Sequence, residues 1–277
     1  MILVTGATGN VGGELVRQLV AAQQPVRALV RKLDAGAWPA GVEPVGGDLA
    51  QPESLSGALA HARAVFLLGG YADMPGILEQ IRRASIEHVV LLSSRSVIGG
   101  HPDNAIVDMW LTSESAVQAS GVPWTLLRPS GFMSNALRWL PQLRTGDVVR
   151  AAFADAAIAA IDPHDIAAVA ALVLAPGVRH AGRSYALTGP APWLPRDQVA
   201  VLGSVLERAL RFEPQPDAAA RVELAKSFPP GFVDAFFRFF VDGEFDDATV
   251  LPTVSELLGR PPRSFEQWAR AHADAFR

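Results

Sequence analysis

The sequence has no cysteine among its 277 residues. Disulfides, thiolate nucleophiles, zinc fingers and iron–sulfur clusters are therefore excluded. A reducing cytoplasm tolerates such a chain easily, and the cytoplasm is the expected location. Lysine is nearly absent: only Lys32 and Lys226 stand among 24 basic residues, and arginine supplies the rest. Tyrosine occurs only at Tyr71 and Tyr185. No run of about 20 apolar residues exists, so no membrane span is expected. Met1-Ile2-Leu3-Val4-Thr5 carries no charged region and no cleavage pattern, and reads as a buried strand rather than a signal peptide. The formal net charge of −4 argues against a nucleic-acid partner or a membrane surface. None of the six histidines has ligand spacing to a carboxylate on one helix face, so no metal is expected. His164-Asp165 opens a helix and reads as capping.

Hydrophobic residues make up 49% and charged residues 19%, the balance of a globular protein. Short apolar runs alternate with amphipathic stretches through the first half. Strands are expected at Met1–Thr5, Val26–Val30, Glu43–Val45, Ala64–Leu68, His88–Ser93 and Trp124–Arg128. Helices are expected at Val11–Ala22, Pro52–His61, Pro75–Ala84 and Asp108–Ser120. Strand then helix, repeated, makes an α/β fold with a Rossmann-type doubly wound parallel sheet. After Pro129 the regularity weakens. Asp162–Leu174 reads as a helix capped by Asp162 with Pro163 in its first turn, and Arg183–Thr188 as a strand. The expected division is a Rossmann domain over residues 1–150 and a smaller, mostly helical C-terminal lobe over 151–277, interleaved with it.

The first strand runs directly into Thr5-Gly6-Ala7-Thr8-Gly9-Asn10-Val11-Gly12. Gly6 permits the tight turn, Gly9 lets backbone approach a pyrophosphate, and Gly12 lets the helix pack on the strand. The helix opening at Asn10 aims its N–H groups at phosphates. Strand–turn–helix at the head of a βαβ series is the context that gives such a triad meaning. Gly6, Thr8, Gly9, Asn10, Val11 and Gly12 are therefore expected to bind a dinucleotide. The second strand ends in Arg31-Lys32, where an NAD site carries an acid. Two cations suit a 2′-phosphate, so NADPH is expected, with NADH as the alternative; solvated surface cations are the plain reading. After the third strand, Asp48 is placed to accept from an adenine amino group and Leu49 to cover the ring, unless Asp48 only caps the turn before Pro52.

These stretches, with Val122-Pro123-Trp124-Thr125-Leu126-Leu127-Arg128-Pro129, Phe132-Met133-Ser134-Asn135, Ile161-Asp162-Pro163-His164-Asp165 and Tyr185-Ala186-Leu187-Thr188-Gly189, resemble the NmrA-like group of atypical short-chain dehydrogenases. The likeness runs along essentially the whole chain and is closest to the quinone oxidoreductase and triphenylmethane-dye reductase branch. It implies a Rossmann domain with a small substrate lobe, and either a reductase or a cofactor-sensing regulator.

Ordinary short-chain dehydrogenases place a tyrosine and a lysine four apart on one helix, the first as proton donor, the second lowering its pKa. The comparable helix here reads Trp110-Leu111-Thr112-Ser113-Glu114, with tryptophan and glutamate at those positions. Hydride addition to a quinone or another extended π-acceptor spreads charge over the ring system, and water can then protonate it. A simple ketone gives a localised alkoxide that needs the donor. The missing dyad therefore favours conjugated acceptors, and it also permits pure binding. Ser94 and Tyr71 are the candidate catalytic groups. Leu68, Gly69, Gly70 and Ser93, at the ends of the fourth and fifth strands, are expected beside the nicotinamide half of the cofactor. Met133 and Asn135 are expected to line the roof of the site.

More than half of the 13 phenylalanines lie between Phe228 and Phe245. Core packing of the lobe is the plain reading. An aromatic wall for a flat substrate, with Phe232 and Phe236 on it, is the sharper one. The expected activity is NADPH-dependent reduction of quinones or polycyclic aromatics, such as a reductive or oxygenating tailoring step on an aromatic polyketide, without flavin or metal. A non-catalytic NAD(P)-sensing regulator is the alternative. The expected partner is a small aromatic substrate, with the protein a monomer or homodimer.

Overall fold

The computed structural model describes residues 1–33, 38–177 and 179–277. In chain order the elements are β1 (Ile2–Val4), α1 (Asn10–Ala21), β2 (Val26–Val30), β3 (Val42–Gly46), α2 (Ser56–Leu59), β4 (Ala64–Leu68), α3 (Met74–Arg83), β5 (His88–Leu92), α4 (Ala105–Ala119), β6 (Trp124–Pro129), α5 (Leu140–Leu143), β7 (Val148–Ala151), α6 (Pro163–Val173), β8 (Arg183–Leu187), α7 (Pro195–Leu206), β9 (Arg211–Pro214), α8 (Asp217–Leu224), α9 (Pro230–Phe240), α10 (Thr253–Leu258) and α11 (Phe265–Ala271). Short 3₁₀ turns occupy Pro52–Leu55, Arg95–Val97, Met133–Trp139 and Ala273–Phe276. Pro52–His61 is not one helix: a 3₁₀ turn begun by Pro52 leads into the four residues of α2. Helix α4 starts before Asp108, because the Asn104 side chain accepts from the Ile106 N–H at 3.1 Å and caps it earlier.

The chain forms two compact units. The first comprises Met1–Ser94, Met109–Pro129 and Pro163–Ala186; the second comprises Arg95–Asp108, Ser130–Asp162 and Leu187–Arg277. The expected single boundary near residue 150 is crossed twice. Residues 130–150 fall in the second unit, and α6 with most of β8 returns to the first.

The first unit is built on a sheet of order β3-β2-β1-β4-β5-β6-β8. The first six strands pair in parallel. This is the doubly wound Rossmann order, whose direction of winding reverses at β1 and β4. Strands β1, β2 and β5 are buried along their whole length, as strands covered on both faces must be. On one face Leu3, Leu29, Val65, Leu67 and Leu91 pack with Leu59, Met74, Ile77 and Ile81. Helix α1 runs against α6, where the Gln18 amide donates to the His164 carbonyl at 2.9 Å. Arg27 is buried within β2. It is tolerated there because its guanidinium donates to both Glu43 carboxylate oxygens, each at 3.0 Å, and to the Ala58 carbonyl at 2.9 Å.

The second unit has a two-stranded parallel sheet, β7 with β9, and a core of Met133, Trp139, Val199, Leu202, Phe265 and Trp268. Helix α11 opens on a capping box in which Ser264 and Gln267 bond each other's backbone. Helix α9 buries Val233, Ala235, Phe237 and Phe239. Phe237 meets Phe153 edge-on at 5.1 Å. That choice of face leaves Phe232, Phe236 and Phe240 half-buried.

His88 begins β5 almost fully buried. Thr125 spends its one hydroxyl proton on the His180 carbonyl at 2.7 Å, so at 2.9 Å it accepts from His88, whose Nε2 carries the proton. Burial foremost, then His180 and Arg63, pushes the His88 pKa down from 6.5 to about 4. The unfolded chain therefore binds a proton that the folded chain refuses. The stabilisation is complete above pH 6.5 and declines by about 1.4 kcal/mol per pH unit as the pH falls from 6.5 toward 4. Denaturant titrations of the parent and His88→Gln across this range will show the parent losing stability more steeply. Parallel curves would refute the assignment.

Candidate active site

The turn after β1 is held open by backbone packing. The Thr5 hydroxyl accepts from the Leu68 N–H at 2.9 Å and ties the end of β1 to that of β4. Gly6 has φ +61°, a conformation that side chains strain, and Leu68 lies against its Cα. A Cβ on Gly12 would stand 2.2 Å from the Gly6 carbonyl oxygen, so α1 approaches the turn only because Gly12 has none. A Cβ on Gly9 would meet only that same oxygen, at 3.2 Å. Gly9 precedes α1 in extended conformation, with no side chain capping the helix and no acid in its first turn. The exposed Thr8, Gly9 and Asn10 thus frame a positive helix end that fits a pyrophosphate. Val11 is 4% exposed, so its side chain belongs to the core and only its N–H faces the turn.

Arg31 and Lys32 are exposed at the end of β2. Asp48, half-buried after β3, accepts from the Ala50 N–H at 3.0 Å. Leu49 corrects its expectation: it is 5% exposed and packs in the core cluster with Leu29 and Leu55, so it is not free to cover an adenine ring. Tyr71 follows β4, half-buried against the core cluster of the first unit. Its phenol is pushed up by burial and by Asp48, against a smaller opposing pull from Arg31. A raised pKa makes the phenol a weaker acid, which counts against Tyr71 as the proton donor.

Gly69 and Gly70 are pressed onto α4. A Cβ on Gly69 would lie 2.9 Å from the Trp110 ring, and one on Gly70 3.1 Å from the Met109 sulfur. Gly70 N–H donates to Ser113 at 2.9 Å, and Ser113 in turn to the Met109 carbonyl. Beside them lies a buried polar cluster that sequence reading did not assemble. Glu114, 3% exposed, accepts from Arg128 Nε at 2.8 Å and Nη2 at 2.5 Å, and from the Ser93 hydroxyl at 2.6 Å. Ser93 is correspondingly 3% exposed, and its proton is committed to Glu114 rather than to a cofactor. Ser94, the next residue, is half-buried.

In the second unit the segment after β6 runs through Gly131 and Phe132 into the 3₁₀ turn Met133–Trp139. Met133 corrects another expectation: it is 0% exposed and part of the core. Asn135 is exposed and lines a small recess of about 60 Å³ with Gly131, Phe132, Ile158, Trp193 and Gln198. Arg95 and Asp247, both nearly buried, pair at 3.0 Å, and Asp247 also accepts from the Gly131 N–H at 3.1 Å. Burial pushes the Asp247 pKa up to about 6, which leaves the pair ionic at neutral pH. Phe236 meets Phe228 edge-on at 5.1 Å, and Phe232 is half-buried nearby in sequence. No group of three or more metal-ligating side chains occurs among the described residues.

A family model described as NAD(P)H-binding matches residues 6–175. The chain is 42% identical to a (4-alkanoyl-5-oxo-2,5-dihydrofuran-3-yl)methyl phosphate reductase of Streptomyces griseus subsp. griseus, over 100% of this chain and 99% of the relative. It is 33% identical to an NAD(P)H azoreductase of Xenophilus azovorans, again over 100% and 99%. Its fold matches that of an NADPH-dependent quinone oxidoreductase from Escherichia coli with a TM-score of 0.77, at 22% identity over 99% of this chain and 100% of that one.

The Glu114 cluster makes a testable claim about the missing dyad. Glu114→Lys restores the lysine but strands Arg128 beside a second cation. Breaking a buried pair this way costs about 3–5 kcal/mol. Urea unfolding will show that loss, with a smaller one for Glu114→Gln, which keeps an acceptor. A Glu114→Lys protein as stable as the parent would contradict the account.

Proposed function

The chain belongs to the NAD(P)H-binding family, among its NmrA-like atypical short-chain dehydrogenases, and on that premise we propose that it reduces conjugated, electron-poor acceptors with NADPH. It is an NAD(P)H-dependent oxidoreductase, and the regulator alternative gives way to the reductases it matches over full length. A reduced nicotinamide supplies hydride when bound. The N-terminus of α1 would take its pyrophosphate through the N–H groups of Asn10, Val11 and Gly12. Arg31 and Lys32 would take a 2′-phosphate.

The observation that carries the acceptor class is the pair Trp110 and Glu114. Indole is no acid at neutral pH, and the Glu114 carboxylate is bound by Arg128 and Ser93. This helix therefore offers no proton relay. An acceptor in which a C=C bond is conjugated to a carbonyl needs none in the slow step. Hydride adds to carbon, the π electrons move to the carbonyl oxygen, and water protonates the delocalised anion. The Streptomyces relative acts on a 5-oxo-2,5-dihydrofuran, a ring with that conjugation, and the Xenophilus relative is an azoreductase. Quinones and polycyclic polyketide ketones have the same electronic character. Asn135 and the half-buried Phe232 and Phe236 would contact the acceptor.

Following NADPH absorbance with a quinone, an unsaturated lactone and a saturated ketone tests this reading. The first two will be reduced and the saturated ketone will not; equal turnover of all three would overturn it. Cofactor choice has its own test. Arg31→Ala removes a charge-assisted contact of about 1.5–3 kcal/mol, so NADPH affinity falls roughly ten- to a hundredfold while NADH affinity changes little. Equal losses for both cofactors would remove Arg31 from the 2′-phosphate site.

A further inference from the structure

We propose that Arg138 is the cation of an anion subsite in the second unit, and that the acceptor carries a phosphate or carboxylate group bound there. The proposal rests on the reading that this unit holds the acceptor.

Three observations lead to it. First, the arginines of this unit are mostly paired: Arg95 with Asp247, Arg208 with Asp147, Arg221 with Asp234, Arg238 with Asp103 and Glu244. Arg138 has no carboxylate partner and no hydrogen bond among the described residues. Its recorded neighbour is the Phe228 ring, 5.8 Å from the guanidinium. Desolvation alone lowers its pKa, although the side chain is accessible. A cation that protein surrounds, water reaches and no acid neutralises is poised for an external anion.

Second, its position follows from 3₁₀ geometry. Residues three apart on such a helix eclipse one another. Phe132, Asn135 and Arg138 therefore share one side of the turn that begins at Met133. Phe132 and Asn135 line the recess. Arg138 is the next side chain along that line.

Third, the surroundings divide the work. The recess presents carboxamides from Asn135 and Gln198 and no charged side chain, which suits a carbonyl edge. The buried Trp193 indole N–H beside it has no partner among the described residues. Phe228, which touches Arg138, also packs on Phe236, an apolar wall for the body of a flat ligand. The arrangement is a neutral polar recess, then an aromatic wall, then one guanidinium. It fits a ring with a carbonyl on one side and an anionic arm on the other.

Calorimetry on the NADP⁺-loaded protein tests this without requiring turnover. The probes are a naphthoquinone and the same ring carrying a carboxylate or a phosphate monoester on a short alkyl arm. The parent will bind at least one anionic probe tenfold or more tighter than the neutral ring, and added salt will shrink the difference. Arg138→Met will bring the ratio close to one, and Arg138→Lys will recover part of it. Thermal melts of both variants check that they are folded. Equal affinities for neutral and anionic probes, or a ratio unchanged in folded Arg138→Met, overturns the subsite. If the affinity ratio behaves as expected but no conjugated acceptor is reduced, the subsite stands and the acceptor reading fails.

Discussion

A carboxylate that is 3% exposed must be compensated where it lies, and Glu114 takes its compensation from two strands at once. Arg128 comes from β6 and Ser93 from the end of β5. Helix α4 is thereby fixed in rotation against both strand ends. That rotation turns Trp110 and Ser113 onto Gly69 and Gly70 at the end of β4. Three consecutive strand ends, where a doubly wound sheet meets its ligand, therefore depend on one buried ion pair. The same pair bears on the proposed chemistry. The helix that would carry an acid and its lysine is occupied by structural contacts instead.

The parts of this site that were legible in the sequence are the ones made locally. The glycine turn is six residues of backbone geometry, and its neighbours in sequence are its neighbours in space. Arg31 and Lys32 follow from counting to the end of β2. Legibility ends where a side chain has two faces to choose from. Val11, Leu49 and Met133 follow strand ends in the sequence, yet their side chains turn into the core. Helix α9 is phenylalanine-rich around most of its circumference, so periodicity alone could not choose between the stripe of Phe232 and Phe236 and that of Phe237. The Trp110 and Glu114 substitutions were visible, but the reason Glu114 is tolerated was not. Its guanidinium partner lies 14 residues on, in another element.

On the proposed reading the two units would recognise their ligands with different atoms. In the first, the glycine turn would work through backbone N–H groups, where glycine's lack of a side chain lets backbone come close. In the second, side chains make the surface: carboxamides at the recess, half-buried phenylalanines, and Arg138. A backbone site suits a dinucleotide that is the same for every reaction. A side-chain site suits an acceptor that differs, as a dihydrofuranone and an azo compound do between two full-length relatives.

Magnitudes favour an acceptor that disperses the charge it receives. A positioned general acid contributes about 10²–10⁴ in rate, or roughly 3–5 kcal/mol. A neutral hydrogen bond contributes only about 0.5–1.5 kcal/mol net. Two carboxamides, such as Asn135 and Gln198 at the recess, could hold a carbonyl oxygen for about 1–3 kcal/mol together, which falls short of the middle of the range that a tyrosine would supply. Tyr71 does not close the gap, since burial makes its phenol a weaker acid than usual. On the proposed reading the remainder comes from the substrate. Conjugation would provide it by spreading the charge before any proton arrives, and a saturated ketone has no such means. The loss of the dyad would then select acceptors by their electronic structure, and the side chains of the second unit would select among them by shape and charge.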